Sequence, residues 1–122
     1  MLHFAALILP LSLPLICHAA GDAAAGKSLF QRRCASCHQV GPSARAAFGP
    51  HLNGIVGRQA GNTPDYPYSP AMKATRLVWT PENLRAFIRS PDDVVPGNKM
   101  RFWGIGNERQ LQDLLAYLHQ LR

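Results

Sequence analysis

A chain of 122 residues, carrying 13 Lys and Arg against 7 Asp and Glu, fits one domain and leaves little room for a second. Its formal charge of +6 is spread out, with Arg32-Arg33 the only adjacent basic pair and no aromatic-interleaved basic stripe, which argues against nucleic-acid binding. Ten Gly and ten Pro beside five Phe, three Tyr and two Trp argue against long uninterrupted helices and for short ones joined by punctuated loops.

Residues 2–20 contain no Lys, Arg, Asp or Glu and are interrupted by Pro10 and Pro14 before ending in Cys17-His18-Ala19-Ala20. This reads as a secretory signal peptide over residues 1–20, cleaved after Ala19 or Ala20, leaving a single domain over 21–122. The only fixed charge of its n-region is the terminal amine, so an uncleaved membrane anchor stands as the alternative. Ile16 is large where a lipidated cysteine needs a small residue before it, so Cys17 is expected to leave with the peptide.

Gly21 to Gln39 reads as the first helix, with Asp22 as N-cap, three alanines behind it, and Gly26 and Phe30 on one face. A glycine within a helix costs about 1 kcal/mol against alanine, which invites close approach of a second helix at Gly26. The helix runs into Cys34-Ala35-Ser36-Cys37-His38, the C-x-x-C-H spacing of c-type haem attachment: two thiols for the haem vinyl groups and an imidazole for the iron. A zinc site would lack partners, since only His51 and His119 follow as histidines and no cysteine does. A dithiol redox couple would lack its βαβ setting. Covalent haem attachment fits an exported compartment, here the periplasm.

Residues 41–68 hold no period of 2 or 3.6 but are punctuated by Gly41-Pro42, Gly49-Pro50, Gly54, Gly57, Gly61, Pro64 and Pro67. A loop of that length in a small domain wraps something, and a haem edge is such an object. Within it the Pro50 carbonyl is an acceptor for the far ring nitrogen of His38, a contact that would orient the imidazole. Ser69-Pro70 opens a short helix to about Thr75, and Thr80-Pro81 opens a clearer one, Glu82 to Arg89, that Pro91 stops. Asp92 to Asn98 reads as turn, and Met100 follows it. The last helix runs from about Asn107 to His119, with Leu111, Leu114, Leu115, Leu118 and Leu121 as an apolar stripe for the first helix.

Candidates for the second iron ligand are Met72, Met100, His51 and His119. Met100 is favoured because it follows a Pro-Gly turn on a loop distant from the attachment site. Met72 reads more simply as a gap filler, His119 as a surface residue at a helix end, and His51 as too near His38 in sequence to reach the opposite face. A thioether opposite imidazole raises the reduction potential relative to two histidines.

Taken together, Gly26-Lys27-Ser28-Leu29-Phe30, Cys34 to His38, Gly49 to Arg58, Tyr68-Ser69, Trp79, Pro96 to Met100 and Leu114 to Leu118 span the mature chain in order. In these stretches the sequence resembles the class I c-type cytochromes, the group joining mitochondrial cytochrome c and bacterial cytochrome c2. The resemblance implies an all-α cytochrome c fold of short helices and long loops around one haem c, with the terminal helices crossing at Gly26/Phe30 and Leu114/Tyr117. It implies thioethers at Cys34 and Cys37, axial ligands His38 and Met100, Pro50 accepting from His38, and Arg58, Tyr68 and Trp79 beside a haem propionate. Phe87, Met72 and Asn98 depart from the family's usual tyrosine, asparagine and threonine, Asn98 standing beside a propionate, so the distal side is expected to be less polar or differently hydrogen-bonded. Asp92-Asp93 replaces a docking lysine pair of the animal proteins, while Arg33, Lys99 and Arg101 still supply positive charge.

The function so implied is a soluble periplasmic one-electron carrier, not an enzyme, acting as a monomer that docks transiently. Its partners would be a quinol-cytochrome c oxidoreductase, a terminal oxidase, a reaction centre or a periplasmic dehydrogenase, with no nucleic acid. The alternatives are a membrane-tethered relay, or a haem enzyme with peroxidase-like or small-gas activity should Met100 leave the iron.

Overall fold

The computed structural model describes residues 21–122, so the expected signal peptide lies outside the described residues. Five helices form among them: α1 (Ala23–Arg33), α2 (Pro70–Ala74), α3 (Pro81–Arg89), α4 (Pro91–Val94) and α5 (Glu108–Leu118). No strand is present among the described residues, only an isolated bridge between Gln59 and Val78.

Side-chain caps open four of the helices, each accepting backbone N–H groups that have no partner within the helix. Asp22 accepts from Ala24 and Ala25, Ser69 from Met72, Thr80 from Asn83, and Asn107 from Gln110. Pro70 and Pro81 follow their caps at the first helical turn, where the missing N–H is no loss. Replacing Thr80 with Ala is expected to cost about 1 kcal/mol, a fall of about 4–8 °C in the thermal midpoint that a circular-dichroism melt would read.

Two boundaries differ from expectation. The first helix stops at Arg33 rather than running on to Gln39, because Cys34 leaves helical geometry and the next residues form a turn in which the Cys37 and His38 N–H groups both donate to the Cys34 carbonyl at 3.0 Å. The stretch read as turn after Pro91 begins with a single helical turn. Pro91 ends α3 and also occupies the first turn of α4, where Asp92 and Asp93 complement the positive end of the helix dipole.

Helices α1 and α5 cross at a backbone-to-backbone contact. A Cβ built on Gly26 would lie 1.9 Å from the Asp113 carbonyl oxygen and 2.9 Å from Tyr117 Cβ, so only glycine permits the approach. Phe30 packs on Tyr117 with ring centroids 5.4 Å apart. The crossing therefore centres on Asp113 and Tyr117, one residue away from the expected Leu114, which points into the core with Leu111 and Leu118. Asp113 also ties down the start of α1: its carboxylate accepts the Asp22 N–H at 2.8 Å. Helix α3 packs on α5 and on α4, completing a wall of apolar side chains.

The loop over residues 41–68 is held without regular structure. Gly57 donates to the Trp79 carbonyl, Trp79 to Arg58 and Ala60 to Leu77, each at 2.8 Å, which ties the loop to the segment before α3. These bonds satisfy a backbone that no helix or sheet provides for.

Candidate functional site

The walls so assembled flank an open cleft. Its lining is mostly apolar: Phe30, Leu52, Ile55, Trp79, Leu84, Phe87, Ile88, Leu114 and Leu118. Cys34, Cys37 and His38 from the turn after α1 and Met72 and Met100 from the other half of the chain all line it.

Burial pushes the Cys34 thiol up to about 11, against a smaller opposing pull from Arg33. A cysteine that served as a thiolate nucleophile would need the reverse, a lowered value. A thioether carries no ionisable proton and suits this sulfur's buried surroundings. Among the described residues no cluster of three His, Cys, Asp or Glu could hold a metal ion.

His38 is buried, and burial lowers its pKa, so the imidazole is neutral as an iron ligand must be. Its Nδ1 donates to the Pro50 carbonyl at 2.7 Å, leaving Nε2 as the nitrogen with the free lone pair. Gly49 makes this possible, because a Cβ there would lie 2.6 Å from His38 Cε1 and 2.9 Å from Nδ1. Sequence reasoning used Gly49 only as a turn residue; the signal was its place directly before Pro50. Gly49→Ala is expected to displace the ring, weaken the bond to Pro50 and cost about 1–3 kcal/mol, read by thermal melts together with the haem absorption spectrum of the loaded protein.

Arg58, Tyr68, Trp79 and Asn98 also line the cleft. The Arg58 guanidinium donates to the Asn53 carbonyl at 3.0 Å and the His51 carbonyl at 2.9 Å, and burial lowers its pKa. Tyr68 pairs its hydroxyl with Thr63 Oγ1 at 2.5 Å. Trp79 packs on Phe87 with centroids 4.9 Å apart. Asn98 is committed to the loop that carries Met100: its side-chain oxygen accepts the Met100 N–H at 2.8 Å, while its amide donates to Val95 O and Asp92 Oδ1.

Of the four candidate second ligands, His51 and His119 do not line the cleft; His51 Nδ1 accepts from Asn53 N–H, and His119 ends α5 in solvent. Both methionines remain, Met72 buried on α2 and Met100 half-buried on the loop. Tyr66, which sequence reasoning passed over, and Lys99, noted there only for its charge, also line the cleft. Tyr66 donates to the Phe48 carbonyl at 3.2 Å, and Lys99 Nζ lies 5.2 Å over the Tyr66 ring while donating to the Pro67 carbonyl. The only sequence signal for Tyr66 was its place two residues before Tyr68.

Comparison with known proteins points the same way. The profile of the family described as Cytochrome c matches residues 23–122. The chain is 50% identical to cytochrome c2 of Agrobacterium tumefaciens (strain II Chrys) over 101 residues, covering 80% of this chain and 90% of that protein. It is 43% identical to cytochrome c-550 of Nitrobacter winogradskyi over 100 residues, 82% of this chain and 91% of that one. Among solved structures, cytochrome cH from Methylobacterium extorquens superposes with a TM-score of 0.75 at 38% identity, covering 81% of this chain and 98% of that chain.

Proposed function

We infer, from the premise that this chain belongs to the cytochrome c family, that it shuttles single electrons between redox complexes in the periplasm, with His38 and Met100 as the residues that would hold its haem iron. It is an electron carrier rather than an enzyme, and its cofactor is one haem c joined covalently through Cys34 and Cys37. The observation that carries the finer reading is the single cleft that brings these thiols, the oriented His38 imidazole and the Met100 thioether together.

When bound, haem supplies the one-electron iron couple. Everything else falls to the protein. His38, held by Pro50, presents Nε2 to the cleft in a fixed direction, so little reorganisation accompanies a change of charge. Phe30, Trp79, Phe87, Leu84 and Leu114 keep water from the interior, and with Met72 and Phe87 in the lining the distal wall offers few hydrogen-bond donors. A dry, neutral-ligand pocket disfavours the more highly charged oxidised state and raises the potential. Arg58, Tyr68 and Asn98 are among the polar groups in the lining, and Arg58 is a cation that a haem propionate would meet there.

No helix among the described residues is long and apolar enough to cross a membrane. Periplasmic release therefore turns on cleavage after Ala19 or Ala20, and intact mass of the exported protein decides it: retention of the first segment would favour a tethered relay. Oxidised protein is expected to show the weak red-edge absorption of methionine bound to ferric iron; its absence would favour an open iron and the peroxidase-like reading. Expected partners are a quinol-oxidising complex and a terminal oxidase, a reaction centre or a periplasmic dehydrogenase.

A further inference from the structure

Trp103 is 101% exposed, as open as in a free peptide, although it lies three residues beyond Met100 in an otherwise ordered loop. Tryptophan is seldom left fully in water, and elsewhere in the loop the apolar residues are covered: Phe102 is half-buried and Ile105 is 2% exposed. The backbone gives the reason it cannot turn inward. Met100 N–H is held by Asn98 Oδ1 at 2.8 Å, Phe102 N–H by the Met100 carbonyl at 3.1 Å and Ile105 N–H by the Ile88 carbonyl at 3.0 Å. Gly104, with φ of 101°, lies so close to α3 that a Cβ there would be 2.0 Å from the Arg89 carbonyl oxygen. A segment pinned at both ends, with Phe102 directed to the cleft, throws its neighbour Trp103 outward.

Two arginines lie near it. Arg101 precedes it by two positions, and Arg33 lies 5.5 Å over the Phe102 ring. Neither arginine pairs with a carboxylate among the described residues. An aromatic centre held rigidly within a cationic border is the composition of a protein-binding hot spot, in which the central ring supplies affinity and the charged rim supplies orientation and encounter rate.

We propose that Trp103 is the apolar anchor of the docking surface, inserting into an apolar recess bordered by carboxylates on the redox partner, with Arg33 and Arg101 meeting that border. This rests on the electron-shuttle reading and names the chemistry of the surface the shuttle fits. An indole buries about 150–250 Å² on insertion, and because the loop is already ordered little conformational freedom is lost when it binds. The two contributions respond differently to salt. Steering by the arginines fades as ionic strength rises, whereas burial of the indole persists.

The test measures steady-state turnover of haem-loaded wild type, W103A, W103F and R101Q with a purified terminal oxidase and a purified quinol-oxidising complex, at low and high salt. Each protein is also assayed with hexacyanoferrate, a small oxidant that needs no apolar recess, and its reduction potential is measured. The expected result is a KM about tenfold or more higher for W103A with at least one complex, equal to about 1.4 kcal/mol, and persisting at high salt. W103F should recover most of the loss, R101Q should weaken only the low-salt reaction, and the hexacyanoferrate rate and potential of the Trp103 variants should stay at wild-type values. An unchanged KM for W103A with both complexes overturns the anchor, as does a loss that appears equally with hexacyanoferrate. A wild type that exchanges electrons with hexacyanoferrate but with no quinol-oxidising complex, terminal oxidase, reaction centre or periplasmic dehydrogenase overturns the shuttle reading itself.

Discussion

Met100→Ala is expected to leave haem covalently attached while the reduction potential falls by at least about 0.1 V, within the span of about 0.8 V that axial ligands command. Cys34 and Cys37 would hold the group independently of Met100, so attachment survives, but with Met100 as ligand the iron would lose its neutral sulfur donor and become open to added imidazole or carbon monoxide. Potentiometric titration and the red-edge absorption of the oxidised protein check both parts. Because Met72 also lines the cleft, Met72→Leu is the companion variant. If Met100 is the ligand, M72L keeps the absorption that M100A loses; the reverse pattern would transfer the role to Met72.

Gly26→Ala is expected to destabilise the fold by about 3 kcal/mol, at the upper end of what an inserted methyl group costs in a packed interior. Two effects oppose each other. Alanine improves helix propensity by about 1 kcal/mol, but its methyl would sit 1.9 Å from the Asp113 carbonyl oxygen, which is backbone of α5 and cannot swing aside. The clash wins, α1 and α5 separate, and the midpoint of a thermal melt should fall by more than about 10 °C. Gly106→Ala is the control, because a Cβ there meets nothing within 4 Å and the change should stay within about 0.5 kcal/mol. A small effect at Gly26 would mean that the helices do not cross as described.

Gly26 also shows where sequence reasoning succeeds and where it stops. Its cost in a helix was enough to call for a close-packed partner, and the leucine stripe of the last helix supplied one. Which atoms meet was not legible, since the register of two helices depends on how both pack against the rest of the core. The buried Asp113 carboxylate was missed for the same reason: nothing local distinguishes an aspartate that receives the Asp22 N–H from one that faces water. At the site, the Pro50 acceptor was legible because one residue type, a carbonyl without a competing N–H, stood at a usable distance along the loop. The role of Gly49 beneath the imidazole and the strap from Lys99 to Tyr66 and Pro67 were not, because each joins residues whose proximity only folding creates.

By itself the sequence determined the cofactor chemistry, the caps that start α1, α2 and α3, and the pairing of the terminal helices. These depend on residue types at fixed short spacings, which the covalent chain imposes directly. The tertiary structure alone decided which candidates share the cleft, that His51 and His119 stand outside it while Met72 and Met100 stand within, and that Trp103 faces water instead of the core. Those outcomes depend on the mutual placement of segments far apart in the chain, where packing and backbone hydrogen bonds over-determine a conformation that no local preference would choose.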